Sequence, residues 1–242
     1  MTEKEINEKL KEEEFEFKKL EDGSYIIWGH FKGDPKDLHI KIKKFYGNFI
    51  SESFGDLNGS PEIIEGNFYC SGKKLTSLKG GPKIVKGDFD CSWNNLKSLE
   101  NGPKIVEGDF NCSYNRLTSL EGCPSIIKND FNCSNNELKS LKNGPEKVEG
   151  DFNCSYNYLK TLKFAPKKVY GNFNCSSNEL LSLEGSPKHI WGNFNCYNNN
   201  LTSLIDGPKI VEENYECGYN LRKKFTIKKV NKFCFVKGDI IL

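Results

Sequence analysis

Cysteine and proline recur along this chain at a fixed spacing of 21 residues. Eight of the ten cysteines follow this spacing, at Cys70, Cys91, Cys112, Cys133, Cys154, Cys175, Cys196 and Cys217. Eight of the nine prolines keep the same step, from Pro61 to Pro208. A fixed period of about 20–50 residues is typical of solenoids, propellers and other repeat arrays. The sequence therefore predicts a stack of equivalent coils.

Each repeat carries the same order of apolar and polar residues. One complete copy, residues 96–116, reads LKSLENGPKIVEGDFNCSYNR. In its V-x-G-x-F-x-C segment alternate residues point to one side, as an extended strand requires, and neighbouring copies would stack in parallel about 4.8 Å apart. So short a coil leaves little room for a helix. We therefore predict a mainly β solenoid with one short parallel strand per coil, and extended or 3₁₀ segments rather than helices on the back.

The repeat resembles a known family. Its F-x-C-x-x-N-x-L-x-x-L pattern is similar to the L-x-L-x-x-N-x-L core of leucine-rich repeats. The short period and the proline resemble the compact bacterial subclass known from secreted effector proteins, and also repeat proteins of phages and large DNA viruses. The pattern covers residues 54–220. It departs from the family in having Cys for the second strand leucine, and Gly-x-Phe where a leucine run is usual.

The repeats divide the chain into three parts. Residues 54–220 hold about eight repeats. Burial of the apolar side chains of one repeat contributes roughly 6–12 kcal/mol of stabilising free energy. Ordering one coil costs more than this, so the coils can fold only as a capped stack. We predict an N-terminal cap at 1–53, made of a short helix within 1–21 and a hairpin within 23–53, with a degenerate first coil at 46–49. A C-terminal β cap at 221–242 would end in a pair of strands.

Two columns of residues are predicted to be structural. The eight periodic cysteines would form an inward column of reduced thiols, because free cysteine packs as a small hydrophobic residue and a linear column cannot converge on a metal. Cys123 and Cys234 lie outside it. Three residues after each cysteine an asparagine recurs from Asn94 to Asn220. Such amides can bond the backbone of the turn that follows each strand. We expect folding to need no metal, disulfide or cofactor.

Polar residues recur on the side of the strands predicted to face outward. One row contains Asp88, Asp109, Asp130 and Asp151, and a second contains Asp90 and Asn111. A soluble surface explains both rows. Stacked carboxylates also repel one another, so a cation or a basic partner could offset the cost. The sequence leaves these alternatives open.

One outward position varies in its chemistry from coil to coil. Two residues after the cysteine it holds Trp93, Tyr114, Tyr156 and Tyr219, with Asn, Ser or Gly in the other copies. Exposed aromatic residues are enriched at binding hot spots, although these rings could equally cover the neighbouring turn. We predict a partner-binding site formed by these four aromatics. Its polar neighbours would be Asp88, Asp90, Asp109 and Asn111.

Composition and motifs exclude several function classes. The net charge is +2 and only two residues are arginine, which makes sequence-specific nucleic-acid binding unfavourable. No apolar run is long enough to span a bilayer. The three histidines share no motif with a nucleophile, and neither a phosphate-binding loop nor a hydrolase signature occurs. In the effector relatives a ligase activity resides in a separate large domain, for which this chain offers no counterpart. The sequence predicts that this chain is not an enzyme.

The predicted function is a non-catalytic leucine-rich-repeat scaffold that binds a protein or peptide through its outward strand face. The alternative is a structural or assembly component of a virus, phage or other multi-protein particle. A monomer in solution would favour the scaffold, and ordered oligomers the assembly role. The charged N-terminal stretch lacks the apolar segment of an export signal, so we expect a cytoplasmic location, or the host cytoplasm for a viral protein.

Overall fold

The fold was examined in a computed structural model, which describes residues 1–220 and 224–242. Residues 221–223, at the start of the predicted C-terminal cap, lie outside the described part. No helix in the described part is long and apolar enough to cross a membrane.

The chain is mainly β, with two α-helices, α1 (Glu3–Glu12) and α2 (Ile227–Asn231), and one 3₁₀ helix (Pro35–Leu38) among the described residues. The strands are β1 (Glu16–Lys19), β2 (Tyr25–Trp28), β3 (Phe31–Gly33), β4 (Ile42–Tyr46), β5 (Phe49–Ser51), β6 (Ile63–Ile64), β7 (Phe68–Tyr69), β8 (Ile84–Val85), β9 (Phe89–Asp90), β10 (Ile105–Val106), β11 (Phe110–Asn111), β12 (Ile126–Ile127), β13 (Phe131–Asn132), β14 (Lys147–Val148), β15 (Phe152–Asn153), β16 (Lys168–Val169), β17 (Phe173–Asn174), β18 (His189–Ile190), β19 (Phe194–Asn195), β20 (Ile210–Val211), β21 (Tyr215–Glu216), β22 (Phe235–Val236) and β23 (Ile240–Ile241).

Parallel strands stack along two sides of the solenoid. The even-numbered strands form the first side, which is divided into a sheet from β2 to β12, with β1 added at its edge, and a sheet from β14 to β22. The odd-numbered strands from β3 to β23 form one continuous eleven-stranded sheet on the second side. The backs of the coils are turns and bends. The mainly β solenoid predicted from the sequence is confirmed.

Each repeating coil contributes two strands, where the sequence predicted one. The predicted V-x-G-x-F-x-C strand bends at its glycine, so that Val106 lies in the first sheet and Phe110 in the second. A Cβ at Gly108 would lie 2.3 Å from Asp88 Oδ1 and 2.6 Å from the carbonyl carbon of Gly87. Adjacent coils approach closely at Gly108, so a side chain there would force its neighbours to shift, although Asn129 and Glu213 occupy the same position in two other coils. The number of strands per coil is corrected accordingly.

The inward columns predicted from the alternation are buried. The valine or isoleucine, the aromatic residue, the cysteine and the two leucines of each repeat are at most 5% exposed. The phenylalanine rings stack from Phe49 to Phe194, with ring centroids 5.1–5.8 Å apart. This continuous column ties each coil to the next, as a solenoid core requires.

Additional coils and a helix close the N-terminal end. Helix α1 begins with a capping box between Thr2 and Glu5. The antiparallel hairpin is β1–β2, which lies earlier than the predicted position at 23–53. Strands β2 and β3 form one parallel coil, and β4 and β5 form the next. The Gly-Asn-Phe segment at 47–49 therefore belongs to a parallel coil.

The two C-terminal strands form a further coil of the solenoid. Strand β22 pairs in parallel with β20, and β23 pairs in parallel with β21. The segment 235–241 reads FVKGDII, which keeps the valine, the corner glycine and an apolar residue in the spacing of the repeat. Parallel pairing follows because Val236 and Ile240 occupy the inward positions of the repeat, where they are half-buried against the preceding coil.

Candidate partner-binding face

The position two residues after each cysteine adopts a left-handed backbone. Its φ is between 49° and 55° in Trp93, Tyr114, Asn135, Tyr156, Ser177, Asn198 and Tyr219, and 68° in Gly72. We call these residues the turn position. Glycine and asparagine tolerate this conformation, whereas a bulky side chain there is an outlier. The geometry of the turn therefore does not explain why four copies carry an aromatic ring.

The structure brings two of the predicted aromatics into one patch. The rings of Trp93 and Tyr114 stack with centroids 3.9 Å apart and planes 7° from parallel. Tyr156 stands two coils further along, beyond Asn135. Tyr219 lies nearer the C-terminal end, where it contacts Tyr197 at 5.1 Å. All four rings are exposed, with Trp93 at 63%. The aromatic residues of the turn position thus form one stacked pair and two separate rings along one edge of the second sheet.

Beside the turn position runs a row of one aspartate and five asparagines on the outer side of the second sheet. We call Asp90, Asn111, Asn132, Asn153, Asn174 and Asn195 the amide row. Each Oδ1 accepts the backbone N–H of the residue two positions later, at 2.8–3.1 Å. These contacts fix which side-chain atom is the oxygen. The Nδ2 groups of Asn111, Asn132 and Asn153 have no partner within the described chain.

Asp88 and Asp109 lie at the glycine corner, at the far end of the strand from Trp93. They belong to the corner ladder, in which an Asp or Asn side chain accepts the backbone N–H of the equivalent residue one coil later. The ladder extends from Asn48 to Asp239, with distances of 2.6–3.1 Å. These N–H donors offset the repulsion between the stacked carboxylates. The sequence left this role open to a cation or a basic partner.

The stacked carboxylates still affect one another. Partial burial raises the pKa of the Asp130 carboxyl, and the carboxylates of Asp109 and Asp151 add to the rise while the N–H of Asp151 opposes it. Among the residues that the structure describes, no group of three or more potential ligands could hold a metal ion. Through its hydrogen bonds the corner ladder joins each coil to the next.

The asparagines from Asn94 to Asn220 bond the backbone as predicted. In the central coils Asn136 Nδ2 donates to the carbonyls of Cys112, Cys133 and Ser134 at 3.1–3.2 Å. Its Oδ1 accepts the N–H of Leu117 at 2.9 Å. Each such amide thus joins its own turn to that of the preceding coil, and leaves no group free to bind a ligand.

The cysteine column is packed in the core. Burial raises the pKa of the Cys91 thiol, so the neutral form is favoured. Two of the thiols, Cys112 and Cys175, contact the carbonyl of the next coil at 3.3–3.4 Å. Of the two cysteines outside the column, Cys234 is buried with its pKa raised by desolvation to about 11, and Cys123 is half-buried with its pKa raised by the same cause to about 12.

Several exposed aromatics were missed by the sequence analysis, among them Tyr158 and Phe164. Tyr158 follows Tyr156 by two residues and lines a shallow depression of about 530 Å³ with Lys139, Lys160 and Glu179. Phe164 lies on the back at a second left-handed position, with a φ of 69° and 61% exposure. The signal for Phe164 was its column, in which the other coils carry Gly, Asn or Asp.

The chain matches no protein-family model, and comparisons with curated proteins and with solved structures found no match. The fold and the geometry of this face are therefore the basis for inferring its function.

Proposed function

We propose that this chain is a non-catalytic scaffold that binds a protein or peptide through the amide row and the aromatic residues of the turn position. The observation that carries the proposal is the left-handed backbone at Trp93, Tyr114 and Tyr156. Asparagine serves at Asn135, where the fold is the same. A bulky residue in this conformation costs roughly 1–2 kcal/mol. Strain at exposed, variable positions of an otherwise regular fold supports a role in binding.

The chemistry of the face indicates what a partner must offer. Trp93 and Tyr114 present a rigid apolar surface that loses little conformational entropy on binding. The unpartnered Nδ2 groups of Asn111 and Asn132 can donate to backbone carbonyls. Asp90 bonds Ser92 through one oxygen, and its other oxygen can accept from a Lys or Arg side chain. These groups together fit a polypeptide with an apolar or basic side chain.

The leucine-rich-repeat assignment belongs to this proposal. Its support is the asparagine at the position after each strand, whose amide bonds adjacent turns as the resemblance implies. A cytoplasmic location, or the host cytoplasm, is proposed because ten cysteines are free thiols, which reducing compartments preserve.

A displayed random-peptide library selected on the purified chain tests the proposal. Peptides selected on the wild type should bind Trp93→Asn/Tyr114→Asn at least about tenfold more weakly, a difference of about 1.4 kcal/mol. Tyr170→Asn, an exposed aromatic of the first side, is the matched control and should bind as the wild type does. Unchanged affinity in the double variant would show that the face is elsewhere.

A further inference from the structure

The outer face of the first side of the solenoid, which spans the sheet ending at β12 and the sheet beginning at β14, carries an apolar column between two charged columns. Its central column is formed by Ile63, Ile84, Ile105, Ile126, Lys147 and Lys168. The buried Val or Ile that follows each of these residues faces the core, so this column faces outward. Ile126 is 43% exposed. Four isoleucines on successive coils thus form an apolar stripe on an uncovered sheet face.

The charged columns flank this stripe on both sides. The column next to the glycine corner contains Glu65, Lys86, Glu107, Lys128, Glu149 and Tyr170. The column next to the proline contains Glu62, Lys83, Lys104, Ser125, Glu146 and Lys167. Within the chain, Glu107 contacts both Lys86 and Lys128. Hydrogen bonds from these two ammonium groups, chiefly that of Lys128, lower the pKa of Glu107 to about 2.

We propose that this face joins two copies of the chain in a closed dimer, whose two-fold axis runs parallel to the strands between the coils of Glu107 and Lys128. Such a rotation reverses the order of the coils and keeps each column opposite itself. At the centre Ile105 of one copy would face Ile126 of the other. Further out, Ile84 would face Lys147 and Ile63 would face Lys168, and the alkyl chains of these lysines can pack over the isoleucines.

The charges decide where the axis lies. With the axis between these two coils, Glu107 faces Lys128 and Lys86 faces Glu149 of the second copy. In the other charged column the facing pairs are Glu62 with Lys167, Lys83 with Glu146, and Lys104 with Ser125. No like charges meet in these six coils.

Neighbouring axis positions fail this condition. An axis through the coil of Glu107 would place Lys86 opposite Lys128, and Glu65 opposite Glu149. An axis one coil earlier would place Lys83 opposite Lys104. Like charges directly opposite each other are unfavourable, so among these three positions the charges of the six coils favour the axis between the coils of Glu107 and Lys128. A closed dimer of this kind also leaves the second sheet, and with it the amide row, free for a partner.

Sedimentation velocity at about 100 µM protein and low salt tests the dimer. The wild type should sediment as a dimer. Lys128→Glu places like charges across the axis, as does Glu107→Lys, so each variant alone should associate at least about tenfold more weakly. Lys97→Glu, which removes a lysine from another face, is the matched control and should dimerise as the wild type does.

Mixing the two monomeric variants gives the sharper test. The Lys128→Glu variant carries an acidic residue at both positions 107 and 128, and the Glu107→Lys variant carries a basic residue at both. Opposite charges therefore face each other between the two variants, so an equimolar mixture should form a heterodimer. A folding defect in either variant could not produce this rescue. A monomeric wild type, variants that dimerise unchanged, a mixture that stays monomeric, or open-ended oligomers would each overturn the proposal. These results do not depend on the peptide affinities that test the scaffold function.

Discussion

Tyr156 has a φ of 52°, exposes 59% of its surface and makes no ring contact within the described chain. Asn135, one coil earlier, occupies the same conformation with a side chain that tolerates it. At the scale of single residues, the turn position therefore keeps one backbone conformation while its exposed side chain differs from coil to coil. The sequence showed that this position varies, but it did not reveal the left-handed backbone, because four of its copies carry aromatic residues that seldom adopt it.

Replacing Tyr156 with asparagine should stabilise the fold. The left-handed backbone is retained and the steric cost of the ring is removed, so we expect the free energy of unfolding to rise by about 0.5–1 kcal/mol. Urea denaturation measures this change. Tyr158→Asn, a neighbouring exposed tyrosine outside the left-handed region, is the control and should give no gain. A loss of stability in Tyr156→Asn would mean that the ring supports the turn.

Asp130→Asn should stabilise the fold at neutral pH by about 0.2–1 kcal/mol, because it keeps the acceptor for the N–H of Asp151 and removes a like charge. The pKa of Asp130 is raised in the folded state, so its charge lowers stability above that pKa. As the pH falls through the raised pKa towards the ordinary value of 3.8, Asp130 becomes protonated and the advantage of asparagine should disappear. Thermal unfolding at pH 7 and pH 3 tests this. An advantage that persists at pH 3 would exclude a charge effect.

At the scale of strands and corners, the sequence predicted the faces but not the bend. Alternation identified Val148, Phe152 and Cys154 as inward, because burial follows the period of two along an extended strand. The bend at Gly108 was not predictable from this period, since residues on both sides of the corner keep the same inward pattern. The role of Asp88 was equally hidden, because it depends on the N–H of the next coil.

The assignment of the faces predicts unequal costs at neighbouring positions of β15. Phe152→Ala removes a fully buried ring from the stacked column and should lower the free energy of unfolding by about 3–5 kcal/mol. Asn153→Ala removes the acceptor for the N–H of Ser155, a loss of about 1 kcal/mol. Chemical denaturation of both variants provides the comparison. Equal costs would contradict the assignment.

At the scale of the whole molecule, the repeat explains why the overall fold was predictable and the ends were not. The 21-residue spacing places Trp93 beside Tyr114, and the structure shows these rings stacked. Their binding role stays a prediction. The first coils are shorter, with Phe31, Phe49 and Phe68 spaced by fewer residues, so the periodic signal fades there. At the other end the helix α2 interrupts the phase, and this concealed the parallel coil formed by β22 and β23.

The deletion of one complete coil tests most directly the central claim that equivalent coils form the core while the binding face varies independently of it. Removing residues 159–179 joins Tyr158 to Leu180 in phase and retains all four aromatics of the turn position. Because each coil contacts only its neighbours, guanidinium denaturation should still show one cooperative transition, with a smaller dependence on denaturant. Removing only residues 159–168 breaks the phase and should abolish that transition. Loss of cooperative unfolding in the in-phase deletion, or equal behaviour of the two deletions, would contradict the account.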